Sequence, residues 1–243
     1  MLALSTLAGL AALGLCAVLW REPWLSPASA GWAALAGAAG SVGVTALYRA
    51  LASGQTAMVA STSAVVSAVL PVGFGILTGG LPPATRLAGF ALALLGIWLV
   101  SRPAQSGHAV AGQFWLACLA GTGFGFFMIF IVQVGPGSTF IPLVVARCVA
   151  LCVALVLLRV NGRPMPALTS NPAALLAGAL DSGGNVLYML SQRFTRIDVA
   201  AVLSSLYPAS TVLLAWVLLK ERVSRGQWVG VVICLIAIAL ITV

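Results

Sequence analysis

The chain has 243 residues, of which 61% are hydrophobic and only 7% are charged. A soluble globular domain carries roughly 25% charged residues, so this composition argues against a fold surrounded by water. The formal net charge is +8, from 12 basic and 4 acidic residues. Because the basic residues stand singly between apolar runs, they indicate anchors at lipid headgroups rather than a surface for nucleic acid.

Nine apolar runs along the chain approach the length of about 20 residues that a membrane-spanning helix needs. Short breaks rich in Gly and Pro separate them, as turns would. The first run is too long for a signal peptide and lacks its basic start, so it is interpreted as a span. We therefore expect an all-α, polytopic transmembrane helix bundle with spans near residues 1–20, 30–53, 55–79, 83–101, 110–133, 139–159, 172–194, 197–219 and 224–243.

The second half of the sequence repeats the first at a constant separation along the chain. Residues 33–35 (AlaAlaLeu) fall on residues 173–175, and residues 47–48 (LeuTyr) fall on residues 187–188. Spans 1 to 4 thus correspond to spans 6 to 9. Equivalent spans are five helices apart, so the two copies cross the membrane in opposite directions. Such an inverted-topology repeat is typical of secondary transporters.

The fifth span has no counterpart in this repeat, since its partner would precede Met1. The simplest interpretation is a five-plus-five protein represented without its first helix. We expect a first repeat of four helices at residues 1–104 and a second repeat of five helices at residues 105–243.

Several motifs follow a familiar order. The second half has TyrMetLeuSer at 188–191, an alanine-rich helix with SerSerLeuTyrPro at 204–208 in its middle, LeuLysGluArg at 219–222 and GlyGlnTrpValGly at 226–230. The first half echoes them with AlaValLeuPro at 68–71. This order resembles the EamA type of the drug/metabolite transporter superfamily over nearly the whole chain. In the family the turn glutamate recurs, whereas Glu221 has no counterpart in the first half.

The resemblance implies a multi-pass plasma-membrane carrier of small metabolites or drug-like compounds that works by alternating access. Its partners would be the lipid bilayer and a small-molecule substrate, with a proton as one candidate coupling ion. The five cysteines have neither metal-site nor disulfide spacing. No phosphate-binding loop or nucleophile–base pair is evident. We therefore expect no enzyme, no metal and no cofactor.

Polar residues inside the spans are candidates for the substrate pathway, because a charged side chain at membrane depth costs about 2.5–3.5 kcal/mol on insertion scales. One stripe lies on a face of span 7, and a second lies on the corresponding face of span 2. If the repeat axis relates them, they would form two walls of one pathway. The alternative is that they hold neighbouring helices together by hydrogen bonds. The candidates are Asp181, Asn185, Tyr188, Gln192, Ser41, Thr45 and Tyr48.

Arg147, about two turns into span 6, has two open interpretations. It could extend its charged end to the membrane surface, or it could pair with Asp181 or with an anionic substrate group. Asp198 opens span 8, where it can cap the helix N-terminus. Pro71 and Pro208 lie inside spans 3 and 8 and are expected to kink them.

Two questions stay open at the level of the sequence. A non-transporting assembly subunit or an inactive truncated paralogue is the alternative to a carrier. Basic residues in the loops number 7 after even-numbered spans and 4 after odd-numbered spans, which favours a cytoplasmic N-terminus. The family resemblance implies the opposite orientation.

Overall fold

The computed structural model describes residues 2–52, 56–100, 111–135, 137–162, 171–218, 220 and 223–242, and within these ranges it contains ten helices and no strand. The helices are α1 (Leu2–Leu19), α2 (Pro27–Leu51), α3 (Thr56–Gly79), α4 (Ala84–Val100), α5 (Ala111–Val132), α6 (Phe140–Val160), α7 (Pro172–Ser191), α8 (Ile197–Ser205), α9 (Tyr207–Leu218) and α10 (Arg225–Thr242).

Each predicted span contains a helix, so the prediction of a polytopic all-α bundle is confirmed. Among the described residues, 7 helical stretches are long and apolar enough to cross a membrane. Two shorter apolar stretches, Ala3–Leu19 and Ala84–Val100, complete the nine. They lie at the lower end of the range of about 17–25 residues that spanning helices use. The chain is a multi-pass membrane protein.

The eighth predicted span consists of two helices, α8 and α9. Leu206 separates them in a turn, and the amide of Ala209 donates to the Leu206 carbonyl at 3.0 Å. Pro208, the second residue of α9, has no N–H to continue the hydrogen bonds of α8. Pro71 instead lies inside α3, which continues without a break on both sides of it. The two equivalent prolines therefore have different local consequences.

The chain divides into two compact units, each built from both predicted repeats. Unit 1 contains Met1–Ser41 and Phe126–Thr195, and unit 2 contains Val42–Gly125 and Arg196–Val243. The helices α2 and α5 are shared between the units. The predicted boundary between the sequence repeats, at 104 and 105, lies outside the described residues.

In unit 1, α1 packs against α6 and α7, and glycine permits two close crossings. A Cβ atom at Gly178 of α7 would lie 2.6 Å from Cα of Ser5 in α1. A Cβ atom at Gly37 of α2 would lie 2.8 Å from Cα of Ala146 in α6. Small residues allow such approach of helix backbones in lipid. Gly37 is separated from Gly178 along the chain by the same interval that separates Ser5 from Ala146, so one crossing is made twice.

Unit 2 also contains two equivalent close contacts, where α4 packs against α10. A Cβ atom at Gly89 would lie 2.7 Å from Cγ1 of Ile241, and a Cβ atom at Gly230 would lie 2.7 Å from Cγ2 of Val100. These positions correspond at the same interval as the crossings of unit 1. Paired contacts of this kind are what two-fold pseudosymmetry between the repeats produces. The packing pairs Gly37 with Gly178, whereas the matching letters pair residue 33 with residue 173. The separation between equivalent residues is therefore one residue longer in the packing than in the matching letters.

The hydrophobic core of unit 2 surrounds the α4–α10 contact. Side chains from α3, α8 and α9 complete it, including Ala64, Val202 and Ala209. Cys234 lies in this core as a small apolar residue, 2.6 Å from the position that a Cβ atom at Gly96 would take. The tight contact between Gly96 and Cys234 places the axes of α4 and α10 close together.

Candidate functional site

Arg147 and Asp181 form an ion pair between α6 and α7 in unit 1. The Nη2 group of Arg147 donates to Oδ2 of Asp181. The Arg147 side chain is 15% exposed, whereas that of Asp181 is 61% exposed. Of the two interpretations open for Arg147, the structure therefore shows the pairing with Asp181. The basic partner lies inside the helix packing, and the acidic partner lies on its accessible side.

Small residues on α1 and α7 make the space that the arginine occupies. A Cβ atom at Gly9 would lie 3.4 Å from Nε of Arg147 and 3.1 Å from the Gly178 carbonyl oxygen, and it would clash with Oγ of Ser182. Ser182 is buried, and its hydroxyl has no hydrogen-bond partner within the described residues. Helices α1, α6 and α7 thus meet around the Arg147 guanidinium and the Ser182 hydroxyl.

The pair is neutral as a whole, and its acidic partner remains accessible to a competitor. Inside a spanning segment, where water is scarce, an unpaired guanidinium or carboxylate would cost several kcal/mol. A proton or a cationic ligand group that binds the carboxylate would weaken its attraction to the guanidinium. Such an arrangement can exchange an internal charge contact for a contact with a solute.

The other residues of the α7 stripe differ in their surroundings. Asn185 is half-buried, one turn after Asp181. Tyr188 is buried, and its hydroxyl donates to the Met128 carbonyl of α5 at 3.3 Å. Gln192 follows the last residue of α7 as its C-cap. The contact of Tyr188 is of the kind that holds helices together, as the alternative interpretation of the stripe expects.

The corresponding residues of α2 are divided between the two units. Ser41, in unit 1, is buried and donates to the Gly37 carbonyl of its own helix at 2.6 Å. Thr45 and Tyr48 belong to unit 2. The Thr45 hydroxyl is buried without a partner among the described residues, and Tyr48 is exposed. The arrangement of the two stripes as facing walls stays a prediction.

The packing and the matching letters pair the polar residues of α2 with different residues of α7. In the register that pairs Gly37 with Gly178, Ser41 corresponds to Ser182, the buried serine beside Arg147. The letters alone pair Ser41 with Asp181 instead. The acidic residue therefore has no polar equivalent at its own packing position in α2, where Gly40 stands.

Glu22, which lies between α1 and α2, caps a distant helix. Its carboxylate accepts hydrogen bonds from the amides of Thr139 (2.7 Å), Phe140 (2.8 Å) and Ile141 (2.9 Å) at the start of α6. These amides have no partner within their own helix, and a negative charge is favourable there. No local motif predicts this contact, because the residues are more than a hundred positions apart.

Asp198 is not the N-cap of α8, contrary to the expectation from the sequence. The N-cap of α8 is Arg196, so Asp198 lies inside the first turn of the helix instead of capping it. It is fully buried, and it accepts hydrogen bonds from the Val199 amide at 2.9 Å and from Nε of Arg196 at 3.2 Å. The Arg196 guanidinium also donates to three carbonyls at the end of α3, those of Gly75, Gly79 and Gly80.

This Arg196–Asp198 pair joins the end of α3 to the start of α8 within unit 2. A guanidinium group suits the role because it carries five donors and a positive charge, which the C-terminal carbonyls of a helix attract. Glu221, the turn residue of the family pattern, lies outside the described residues.

Comparison with known proteins agrees with this architecture. The model of the EamA-like transporter family matches residues 112–243. A solved crystal structure of another protein superposes on 99% of this chain and 85% of its own, with a TM-score of 0.76 and 18% sequence identity, which shows a shared fold. None of the curated proteins matches this sequence. The family match covers more than half of the chain, and the protein belongs to the EamA-like transporter family.

Proposed function

We propose that the protein is a secondary transporter that moves small metabolites or drug-like compounds across the plasma membrane by alternating access. The observation that carries this proposal is the Arg147–Asp181 ion pair inside two spanning helices of unit 1. Family membership supports transport in general terms, and the pair supplies a position at which a solute could act.

Placing the charges of this pair among packed helices costs free energy. Replacing an ion pair that has one buried partner with apolar residues is often neutral or stabilising, so folding alone does not require these charges. Ionisable residues inside spans commonly mark substrate or ion pathways. Here the more exposed partner is the acid, and Asn185 lies beside it on the same helix face. Asp181 is therefore the group that a solute would meet first.

We further propose that binding at Asp181 competes with Arg147. A proton, or a cationic or hydrogen-bonding group of the substrate, would neutralise or engage the carboxylate and release the guanidinium. The released guanidinium would then need another partner, and the buried hydroxyl of Ser182 is one nearby group. This exchange of partners would link the occupancy of the site to a change in helix packing.

The test is coupled flux in proteoliposomes loaded with the pH-sensitive dye pyranine. A panel of amino acids, nucleosides, organic cations and organic anions serves as the set of probes. For any probe that the unaltered protein moves, Asp181→Asn is expected to lower the coupled flux at least tenfold. Gly183→Ala, on the same helix but with open space around it, is the control and should retain the flux.

The double variant R147Q/D181N separates stability from transport. Without either charge, the protein is expected to keep its fold and to remain inactive. Flux and pH dependence that are unchanged in Asp181→Asn would contradict the proposed role of Asp181.

A further inference from the structure

A separate cavity of about 300 Å³ lies in unit 1, at the end of α7. Val132 of α5 and Met189 of α7 form its apolar part. Its polar part comes from the loop before α6 and from the residues after α7, namely Ser138, Thr139, Gln192 and Arg193. This volume lies at the lower end of the range that small-molecule sites occupy. The cavity is distinct from the contact between Arg147 and Asp181.

The side chains of Arg193 and Gln192 have N–H donors that form no hydrogen bond within the described residues. The Arg193 guanidinium donates to the Thr139 hydroxyl at 3.0 Å, and within the described residues it forms no ion pair. The side-chain nitrogen of Gln192 is buried and lacks a hydrogen-bond partner in the same part of the chain. A buried donor without an acceptor is unfavourable, so rotation of the Gln192 amide toward a ligand acceptor in the cavity would be favoured.

Glu22, the acid that is hydrogen-bonded to the Thr139 amide at this cavity, already has several donors. Glu22 accepts from three amides at the start of α6, so its charge is compensated by those donors and by the helix dipole. Arg193 has only a neutral hydroxyl partner by comparison. The uncompensated charge of the cavity is therefore positive.

Aromatic residues mark the depth of the cavity in the membrane. The Trp20 ring packs against that of Phe140, the residue after Thr139, with centroids 5.5 Å apart. Trp20 and Trp24 are both exposed at this end of unit 1. Tryptophan is enriched at the level of the lipid headgroups. The cavity is therefore expected near the level of the lipid phosphates.

We propose that this cavity binds a phosphate group, with Arg193 and Gln192 as the principal donors and Ser138 as a third. A guanidinium fork matches the oxygens of phosphate, and an amide N–H adds a directed donor. The phosphate can come from an anionic lipid headgroup or from a soluble phosphate compound. The site lies apart from the Arg147–Asp181 pair, at the end of the α7 stripe to which Gln192 belongs, and its occupancy would stabilise unit 1.

The test measures thermal unfolding of the purified full chain in detergent with four additives. Phosphatidic acid and diacylglycerol with the same acyl chains differ only in the phosphate group. Sodium phosphate and sodium chloride at equal ionic strength test a soluble source. Arg193→Gln is compared with Arg159→Gln, which removes the same charge from the exposed opposite end of α6. A ligand that binds the folded state raises the melting temperature, and dependence of the rise on Arg193 separates binding from the general effect of phosphate salts.

The expected result is a rise of several degrees with phosphatidic acid, but not with diacylglycerol, in the unaltered protein and in Arg159→Gln. Arg193→Gln should lose most of this rise. If sodium phosphate alone reproduces the Arg193-dependent rise, the site accepts soluble phosphate, which also supports the proposal. Equal rises in Arg193→Gln and Arg159→Gln would overturn it.

A second variant covers the case in which Arg193→Gln does not fold. Gln192→Leu preserves the net charge and removes only the unpartnered amide. We expect this variant to need a several-fold higher concentration of phosphatidic acid for half of the maximal rise in melting temperature. An unchanged response in Gln192→Leu, with Arg193→Gln unfolded, would likewise overturn the proposal.

Discussion

The two charges of the Arg147–Asp181 pair have unequal surroundings. The guanidinium is held among α1, α6 and α7, whereas most of the carboxylate surface is accessible. If the accessible side of Asp181 is water in a transport pathway, the loss of Arg147 leaves a hydrated anion. The loss of Asp181 leaves a buried cation that has no carboxylate partner.

Asp181→Asn should therefore destabilise the protein more than Arg147→Gln. Removing one partner of a buried pair costs about 3–5 kcal/mol, and we expect about 3 kcal/mol for Asp181→Asn. Exposed pairs contribute about 0.2–1 kcal/mol, and Arg147→Gln should fall near the upper limit. The measurement is the free energy of unfolding in micelles by denaturant titration.

The double variant R147Q/D181N is the internal control for this comparison. It should recover most of the stability lost in Asp181→Asn, because neither charge remains unpaired. Equal destabilisation by the two single variants would mean that Asp181 faces lipid, which would remove it from the pathway.

At the scale of helices, glycine determines which pairs can approach closely. Gly178 lies against Ser5, whereas Gly183 on the same helix has open space around it. The two glycines of α7 are thus matched in type and helix but differ in contact. The same distinction separates Gly230, which lies against Val100, from Gly226 in α10.

Gly178→Ala is expected to destabilise the α1–α7 crossing by about 1–3 kcal/mol, because the added methyl group must displace backbone atoms. Gly183→Ala should be neutral or stabilising by up to about 1 kcal/mol, since alanine favours helix more than glycine does. Thermal unfolding of the two variants in the same detergent tests the difference. Equal effects would contradict the contact assigned to Gly178.

The Arg196–Asp198 pair acts between helices α3 and α8. Arg196→Gln would leave the fully buried Asp198 without its cationic partner and three carbonyls of α3 without a charged donor. We expect a loss of about 3–5 kcal/mol. Adding Asp198→Asn to this variant should restore part of the stability. A loss below about 1 kcal/mol in a denaturant titration, the level of an exposed pair, would show that the pair contributes little.

At the scale of the whole molecule, apolar runs predicted the spans because lipid demands continuous hydrophobicity. The break at Leu206 was not predicted at that residue, since Pro71 and Pro208 have similar local sequences but only one adjoins a break. The repeat was found through identical letters in the two halves. Packing follows a register one residue longer, because small residues such as Gly37 and Gly178 determine the crossings, and letters do not show which face they occupy.

The pairing of Arg147 with Asp181 was one of two possibilities at the sequence level, since both residues could be placed at membrane depth. The contacts of Glu22 and Arg196 could not be predicted in the same way. They connect turns to the ends of helices far away in the chain, and their partners are backbone groups that every residue type carries. Sequence reveals which side chains are polar, but not which helix end lies beside them.

We propose that the Asp181 face of α7 lines a pathway that opens alternately to the two sides of the membrane. Asn185→Cys, in a background with the five native cysteines replaced by alanine, tests it by labelling with a membrane-impermeant maleimide. Leu187→Cys, at an exposed apolar position on a different face of the same helix, is the matched control.

Asn185→Cys in sealed vesicles is expected to be labelled from each side of the membrane, and a transported solute should shift the ratio between the two sides. Leu187→Cys is expected to be labelled from neither side. Labelling of Asn185→Cys from neither side, or from one side alone under every condition, would contradict alternating access along this face.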